Sequence, residues 1–342
     1  MCIRDRFKFK QLSKLILAGA ITSLAGLTTA TAQDTDYILN TASTGGTYHP
    51  VGTAIATLSK IKLLPGQKFS LTAVNSAGSG ANVQALAANT AQFAILQGLF
   101  GSYAATGTGP VSEPQENLRS VSMLWQNVEQ FVIASDKVKT GTVSDLLSVK
   151  GETLTMGKEN SGTLGSNTLL MQGLGADIAT DFDLVYAGYG PSTDALANGQ
   201  AVGGGFPAGP PTGALTKLLA ANGDKFTILD VTAEEAEKMD AGRGLWVPYT
   251  IEAGTYPEQE KDIQTIAQPN FLAVNADVDE NHVYELTKAL YENLPFLNGI
   301  HQATKAMAID RALAGLPVPL HPGAARYYAE VGITVPDTLM AK

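Results

Sequence analysis

The chain has almost no cysteine: Cys2 is the only one in 342 residues. A disulfide framework is excluded, and so is thiol chemistry in any product that has lost its first residues. Histidine is scarce as well, and His49, His282, His301 and His321 lie far apart without the spacing of a metal site. There is no Walker motif, and no G-x-S-x-G, because Ser79 has Ala77 where that motif needs glycine. No cofactor and no metal are expected. The most apolar stretch, Leu15–Leu27, has 13 residues, against the roughly 20 that a spanning helix needs. Basic residues are few relative to acidic ones, 23 against 32, for a net charge of −9. That balance argues against nucleic acid and against an anionic membrane surface as partners.

The apolar stretch has another reading. Lys8, Lys10 and Lys14 precede it, and Ala30-Thr31-Ala32 follows it as a small-residue cleavage site. Residues 1–32 are thus expected to be a signal peptide cut after Ala32, with export to the periplasm. No cysteine follows the cut, so no lipid anchor is expected there. Losing five basic residues and one acidic residue takes the charge from −9 to −13. About 310 residues remain, enough for two domains.

What the chain does have is glycine, 35 residues of it, and a turn that recurs. It reads Ser43-Thr44-Gly45-Gly46-Thr47-Tyr48, then Asn75-Ser76-Ala77-Gly78-Ser79-Gly80, then Asn160-Ser161-Gly162-Thr163. Each stands between a strand-like and a helix-like run. A loop at a helix N-terminus presents free backbone N–H groups and the positive end of the helix dipole. Small residues let a ligand approach that backbone closely. Thr44, Gly45, Gly46, Thr47 and Tyr48 of the first turn are therefore candidate ligand contacts. So are Ser76, Gly78 and Ser79 of the second, and Ser161, Gly162 and Thr163 of the third. Gln97 is polar at the end of an apolar strand and would be costly to bury unsatisfied, which points to a cleft. Tyr189 and Phe206, each after a strand, are candidates for the apolar side of a ligand. No turn carries an obvious nucleophile–base pair, so binding is favoured over catalysis.

Strands are expected at Tyr37–Leu39, Phe69–Val74, Phe93–Leu96, Ser120–Trp125 and Phe131–Ala134. Helices are expected at Pro50–Ile61, Asn82–Ala88, Thr142–Leu147 and Thr163–Leu174. The alternation continues through strands at Leu154–Met156, Leu184–Tyr186, Ala201–Phe206 and Phe226–Leu229. Pro269 is expected to split Ile263–Val274 into two strands. The remainder reads as helical at Asp279–Leu297, Ala303–Leu313 and Pro322–Glu330. Repeated strand–helix alternation implies an α/β fold with parallel sheets, and ligands there bind at strand carboxyl ends. Without a polar linker, two crossovers near 126–131 and 248–265 are expected to join the halves. One domain is then discontinuous, 33–127 with 252–342, and the other, 128–251, is inserted.

Thr41–Gly52 (TASTGGTYHPVG) resembles the first ligand loop of the TAXI family, the solute receptors of one class of tripartite ATP-independent periplasmic (TRAP) transporters. Ala94–Gln97 (AILQ), Asn160–Thr163 (NSGT), Thr250–Pro257 (TIEAGTYP), Asp279–Leu294 (DENHVYELTKALYENL) and Leu316–Tyr328 (LPVPLHPGAARYY) resemble that family in the same order. The resemblance implies a type II periplasmic-binding-protein fold, two α/β domains with a ligand cleft between them. It implies a receptor, not an enzyme, for a glutamate-, glutamine- or 2-oxoglutarate-like acid, passed to an ion-gradient-driven TRAP permease. A monomer is expected, though the sequence does not fix the oligomeric state. Ala81 and Leu164 stand where the family often has acidic residues, so the ligand need not be the usual one. Two rival readings stay open: a ligand-sensing partner of a membrane signalling protein, and a serine-dependent α/β hydrolase using Ser79 or Ser161 with His321.

Overall fold

A computed structural model describes residues 34–341. The expected signal segment lies outside these residues. Residues from Asp34 onward form one compact unit built on two sheets.

The first sheet holds β1 (Thr35–Asn40), β2 (Phe69–Val74), β3 (Phe93–Gln97) and β4 (Leu118–Val128). The second holds β5 (Phe131–Ala134), β6 (Thr153–Thr155), β7 (Asp183–Leu184), β8 (Gly203–Gly205) and β9 (Phe226–Ile228). The chain then returns to the first sheet with β10 (Val247–Ile251) and β11 (Ile263–Asn275). β10 thus belongs with the first sheet, although the expected boundary at 251 placed it in the inserted domain.

Both sheets share one strand order. In the first, β2-β1-β3 run parallel, β11 lies antiparallel beside β3, and β4 pairs antiparallel with β11. In the second, β7-β6-β8 run parallel, β5 lies antiparallel beside β8, and β9 pairs antiparallel with β5. The fold is α/β, with two lobes of the type II periplasmic-binding-protein kind and a cleft between them.

Local sequence explains the elements. Tyr48–Lys62 buries Val51, Ile55 and Leu58 one or two turns apart, and Lys60 and Lys62 complement the dipole at its end. The helix Ala233–Asp240 starts with a capping box between Thr232 and Glu235. On β5, Phe131 and Ile133 join the larger apolar cluster and Val132 the smaller, as alternation across a strand requires. The larger cluster runs from Leu39, Phe93 and Phe271 in the first lobe to Leu154 and Leu170 in the second.

Four expectations fail. Pro269 does not split β11, because β3 pairs only from Asn270 onward and β10 only up to Ala267. The missing N–H falls in that gap, with register shifts absorbed just beyond it. Asp279–Leu297 is two helices, Glu280–Glu292 and Leu294–Ile300, since Pro295 cannot continue the first. Ala303–Leu313 is not a helix but two 3₁₀ turns, Gln302–Ala306 and Ile309–Arg311. Its carbonyls serve the outer edge of β4 instead, where Met123 N donates to Ala312 O. Thr142–Leu147 likewise becomes the 3₁₀ segment Val143–Val149.

Candidate functional site

Four helices aim their N-termini at one cleft between the lobes. Tyr48–Lys62 follows β1 and Ser79–Ala87 follows β2; Gly162–Gly173 follows β6 and Tyr189–Ala197 follows β7. The first residue of each lines the cleft, a pocket with about 490 Å³ of empty space that is partly open to solvent. Each helix leaves its first N–H groups without an intrahelical acceptor, so the cleft is rich in backbone donors and positive dipole ends.

The lobes touch around it. Thr47 Oγ1 donates to Gly209 O at 2.8 Å, and Ala214 N donates to Gly45 O at 3.1 Å. On the other side Ala81 N donates to Asn160 O at 2.9 Å, and Asn160 Nδ2 to Gln84 Oε1 at 2.8 Å. A Cβ on Gly80 would sit 2.6 Å from Asn160 O, and one on Gly162 would sit 2.5 Å from Gln97 Oε1. Glycine at 80 lets the two backbones meet, whereas a Cβ at 162 would meet the side chains of Gln97 and Ser79. The lobes are closed.

Of the residues singled out from sequence, Gly46, Thr47 and Tyr48 line the cleft, with Gly78, Ser79 and Gln97 from the same lobe. Ser161, Gly162, Thr163 and Tyr189 face them. Four others lie elsewhere. Thr44 is exposed, and Gly45 packs in the seam against Gly190 and Ala214. Ser76 points inward, donating to Thr41 O and Asn82 Oδ1 and accepting from Gly78 N. Phe206 is buried behind Tyr189, ring edge to face at 5.5 Å between centroids.

Sequence reasoning missed Asn127, Ser43, Gly188 and Pro207, which also line the cleft. Asn127 had a legible signal: it is polar at the end of the apolar run in β4, as Gln97 is at the end of β3.

Most cleft hydroxyls are committed to the protein. Tyr48 OH donates to Asn270 Oδ1 at 2.5 Å, and Tyr189 OH donates to Pro207 O at 2.5 Å. Burial pushes both phenols well above their usual range, so both are donors at neutral pH. Ser161 Oγ accepts from Leu164 N as a helix cap, and Ser79 Oγ accepts from Gln97 N. Among the described residues no carboxylate and no histidine lines the cleft, and the one cation that does is Lys158, exposed at its rim. His321 accepts from Gly323 N at the start of Pro322–Glu330, away from either serine's surroundings. The serines therefore have no base. Among the described residues no cluster of metal-ligating side chains occurs.

Behind the cleft, at the crossover from β4 to β5, Glu129 is 1% exposed. Its Oε1 accepts from Trp246 Nε1 at 2.8 Å, while Oε2 has no partner. Burial pushes its carboxyl up to about 7.

The sequence profile of the NMT1-like family matches residues 39–332. The chain belongs to the NMT1-like family. It is a solute-binding protein of a transport system and not an enzyme, in a family of periplasmic receptors. Solved structures agree on the fold of this NMT1-like chain. MatC from Rhodopseudomonas palustris with bound malate is 15% identical, with TM-score 0.54 over 86% of this chain and 97% of that one. The periplasmic binding protein BugD is 15% identical, with TM-score 0.53 over 88% and 93%. PhnD1 from Prochlorococcus marinus in complex with methylphosphonate is 13% identical, with TM-score 0.51 over 80% and 91%.

Proposed function

We propose that this receptor captures a small organic acid or amino acid, of the glutamate, glutamine or 2-oxoglutarate kind, between its lobes. The observation that carries the reading is the convergence of four helix N-termini on a cleft that no carboxylate lines. Such a site favours an anionic group held by backbone N–H donors. Small anions in the related folds, malate in MatC and methylphosphonate in PhnD1, support that chemistry. Gly46, Thr47, Tyr48, Gly78, Ser79 and Gln97 would contact the ligand from one lobe. Ser161, Gly162, Thr163 and Tyr189 would do so from the other.

The moving bodies would be the two lobes, close to the expected 33–127 with 252–342 against 128–251 but with β10 travelling with the first, hinged at the two crossovers. Closure buries the ligand and creates the surface that a membrane permease reads. The ordered resemblance of six segments to TAXI receptors favours a TRAP permease driven by an ion gradient. The rivals are an ATP-driven importer, as in the ABC-type systems that NMT1-like receptors serve, and a signalling partner.

Titration calorimetry of the mature protein with these acids tests the binding reading. Tyr48→Ala or Thr47→Ala is expected to weaken binding by about 1–3 kcal/mol without unfolding the protein. Unchanged affinity in both sinks the assignment of the first turn. Uptake of labelled ligand by intact cells tests the permease. Loss on collapsing the ion gradient at constant ATP supports TRAP, and loss only on ATP depletion rejects it.

A further inference from the structure

Four side-chain amides stand where β3, β11 and β4 approach the cleft. In register, Gln97 pairs with Asn270, and Gln268 pairs with Asn127. Two of them brace the protein: Asn270 Oδ1 accepts from Tyr48 OH, and Gln268 Oε1 accepts from Leu99 N. The other two line the cleft and hold nothing there. Gln97 is 2% exposed and its Oε1 has no partner; Asn127 is 1% exposed and neither Nδ2 nor Oδ1 has one.

Buried polar atoms are almost always paired, so an orphaned amide beside a cavity points to a partner that enters it. For Asn127 the argument does not depend on which way the amide is turned. With both atoms free, it offers one acceptor and one donor group in either orientation. A fully ionised acid that only accepts would satisfy the nitrogen and leave the oxygen unpaired. Gln97 Oε1 adds a second acceptor in the same cleft. Since no carboxylate among the described residues lines the site, a donor group on the ligand would be met by amide oxygens and not by an ion pair.

We infer that Asn127, seconded by Gln97, is a specificity-determining residue that reads a hydrogen-bond-donating group on the ligand. The receptor then selects carboxylic acids bearing an amino, carboxamide or hydroxyl group over acids that carry acceptors alone. The inference rests on the reading of this cleft as the ligand site. In the bound state the donor group of the ligand meets the Asn127 amide, and the acid group is held by backbone N–H donors of the helix N-termini lining the same cleft. A site built to hydrogen-bond such a group rejects an analogue lacking it, because its own buried polar atoms are left unpaired.

Five ligands on one carbon skeleton provide the test by calorimetry: glutamate, glutamine, 2-hydroxyglutarate, 2-oxoglutarate and glutarate. The wild-type protein is expected to bind at least one of the first three about tenfold or more tightly than the last two. Which of the three leads identifies the donor as amino, carboxamide or hydroxyl. Asn127→Leu is expected to collapse that ratio, lowering affinity for the donor-bearing ligand and changing 2-oxoglutarate by less than about threefold. If Asn127 is only a structural support, all five ligands weaken together and the ratio stays; that result overturns the inference. A wild-type preference for 2-oxoglutarate or glutarate also overturns it, while leaving the receptor reading intact. Binding of none of the five overturns both. Should Asn127→Leu fail to fold, Gln97→Leu reads the same ratio, and an unchanged ratio there counts against the inference.

Discussion

The two lobes are built on the same strand order yet bring different chemistry to the cleft. The first has long strands, 11 residues in β4 and 13 in β11. The second makes do with strands of two to four residues. At the cleft the first lobe offers the unpartnered amides Gln97 and Asn127. The second offers backbone at the starts of Gly162–Gly173 and Tyr189–Ala197, with its hydroxyls already bonded to itself. Topology fixes where helix N-termini arrive, and the same topology used twice delivers donors from both sides. Side-chain selectivity is a separate property, carried here by the lobe with the more extensive sheet. The second lobe acts more as a lid than as a reader.

The largest expected effect on affinity comes from separating closure from folding. Gly80 lies in the first turn of a helix, where alanine is favoured over glycine by about 1 kcal/mol. Its Cβ would nevertheless meet the backbone of Asn160 in the other lobe at 2.6 Å. Gly80→Ala is therefore expected to leave the melting temperature of the ligand-free protein unchanged or raised. Affinity should fall at least tenfold, about 1.4 kcal/mol. Calorimetry and a thermal melt on the same sample check it. A lost fold would show that the seam belongs to stability; unchanged affinity would show that closure does not require it.

The crossover between the lobes gives the next effect. Burial holds the Glu129 carboxyl up at about 7. Between about 4.5 and 7 the native state then binds more protons than the unfolded chain. Stability from this group is lost as pH rises through that window, by about 3 kcal/mol in all. The half-buried His282 and His301 and the buried His321, held low by desolvation, act in the opposite sense and lose stability as pH falls below 6.5. Glu129→Gln removes only the first contribution. Its melting temperature is expected to fall less than that of the wild type between pH 5 and 8, and parallel profiles would rule the role out.

Much of this comparison was legible in the sequence. The turns before Tyr48, Ser79 and Gly162 were readable because glycine and hydroxyl residues between strand and helix have few other uses. Gln97 stood out as a polar end to an apolar strand. Ser76 was misread because a hydroxyl in such a turn looks the same whether it faces a ligand or its own lobe. Its direction is set by Asn82 and Thr41, which only the fold brings near. Phe206 follows a strand as expected, yet it packs behind Tyr189 and outside the cleft. Asn127 escaped because β4 runs beyond Trp125, into what read as a crossover. Pro269 misled because a rule for central strands ignores a gap between two neighbours.

Ser76 and Ser161 bring the comparison down to single hydroxyls. Ser76 joins three elements of the first lobe, and losing buried hydrogen bonds of this kind costs about 1–2 kcal/mol. Ser76→Ala should show that loss in denaturant unfolding, with affinity nearly unchanged, since the side chain faces away from the cleft.

Ser161→Ala is the smallest and most discriminating case. Ser161 Oγ caps its helix by accepting from Leu164 N at 3.0 Å, and replacing such a cap costs about 1 kcal/mol. One lone pair of Oγ is thus held by the helix, while the N–H groups of Gly162 and Thr163 remain for a ligand. If the second lobe binds through backbone, Ser161→Ala lowers stability by about that amount and affinity by less than about threefold. A tenfold loss of affinity at equal stability would mean that this hydroxyl reads the ligand itself. The second lobe would then share in recognition, and the division between reader and lid would have to be withdrawn.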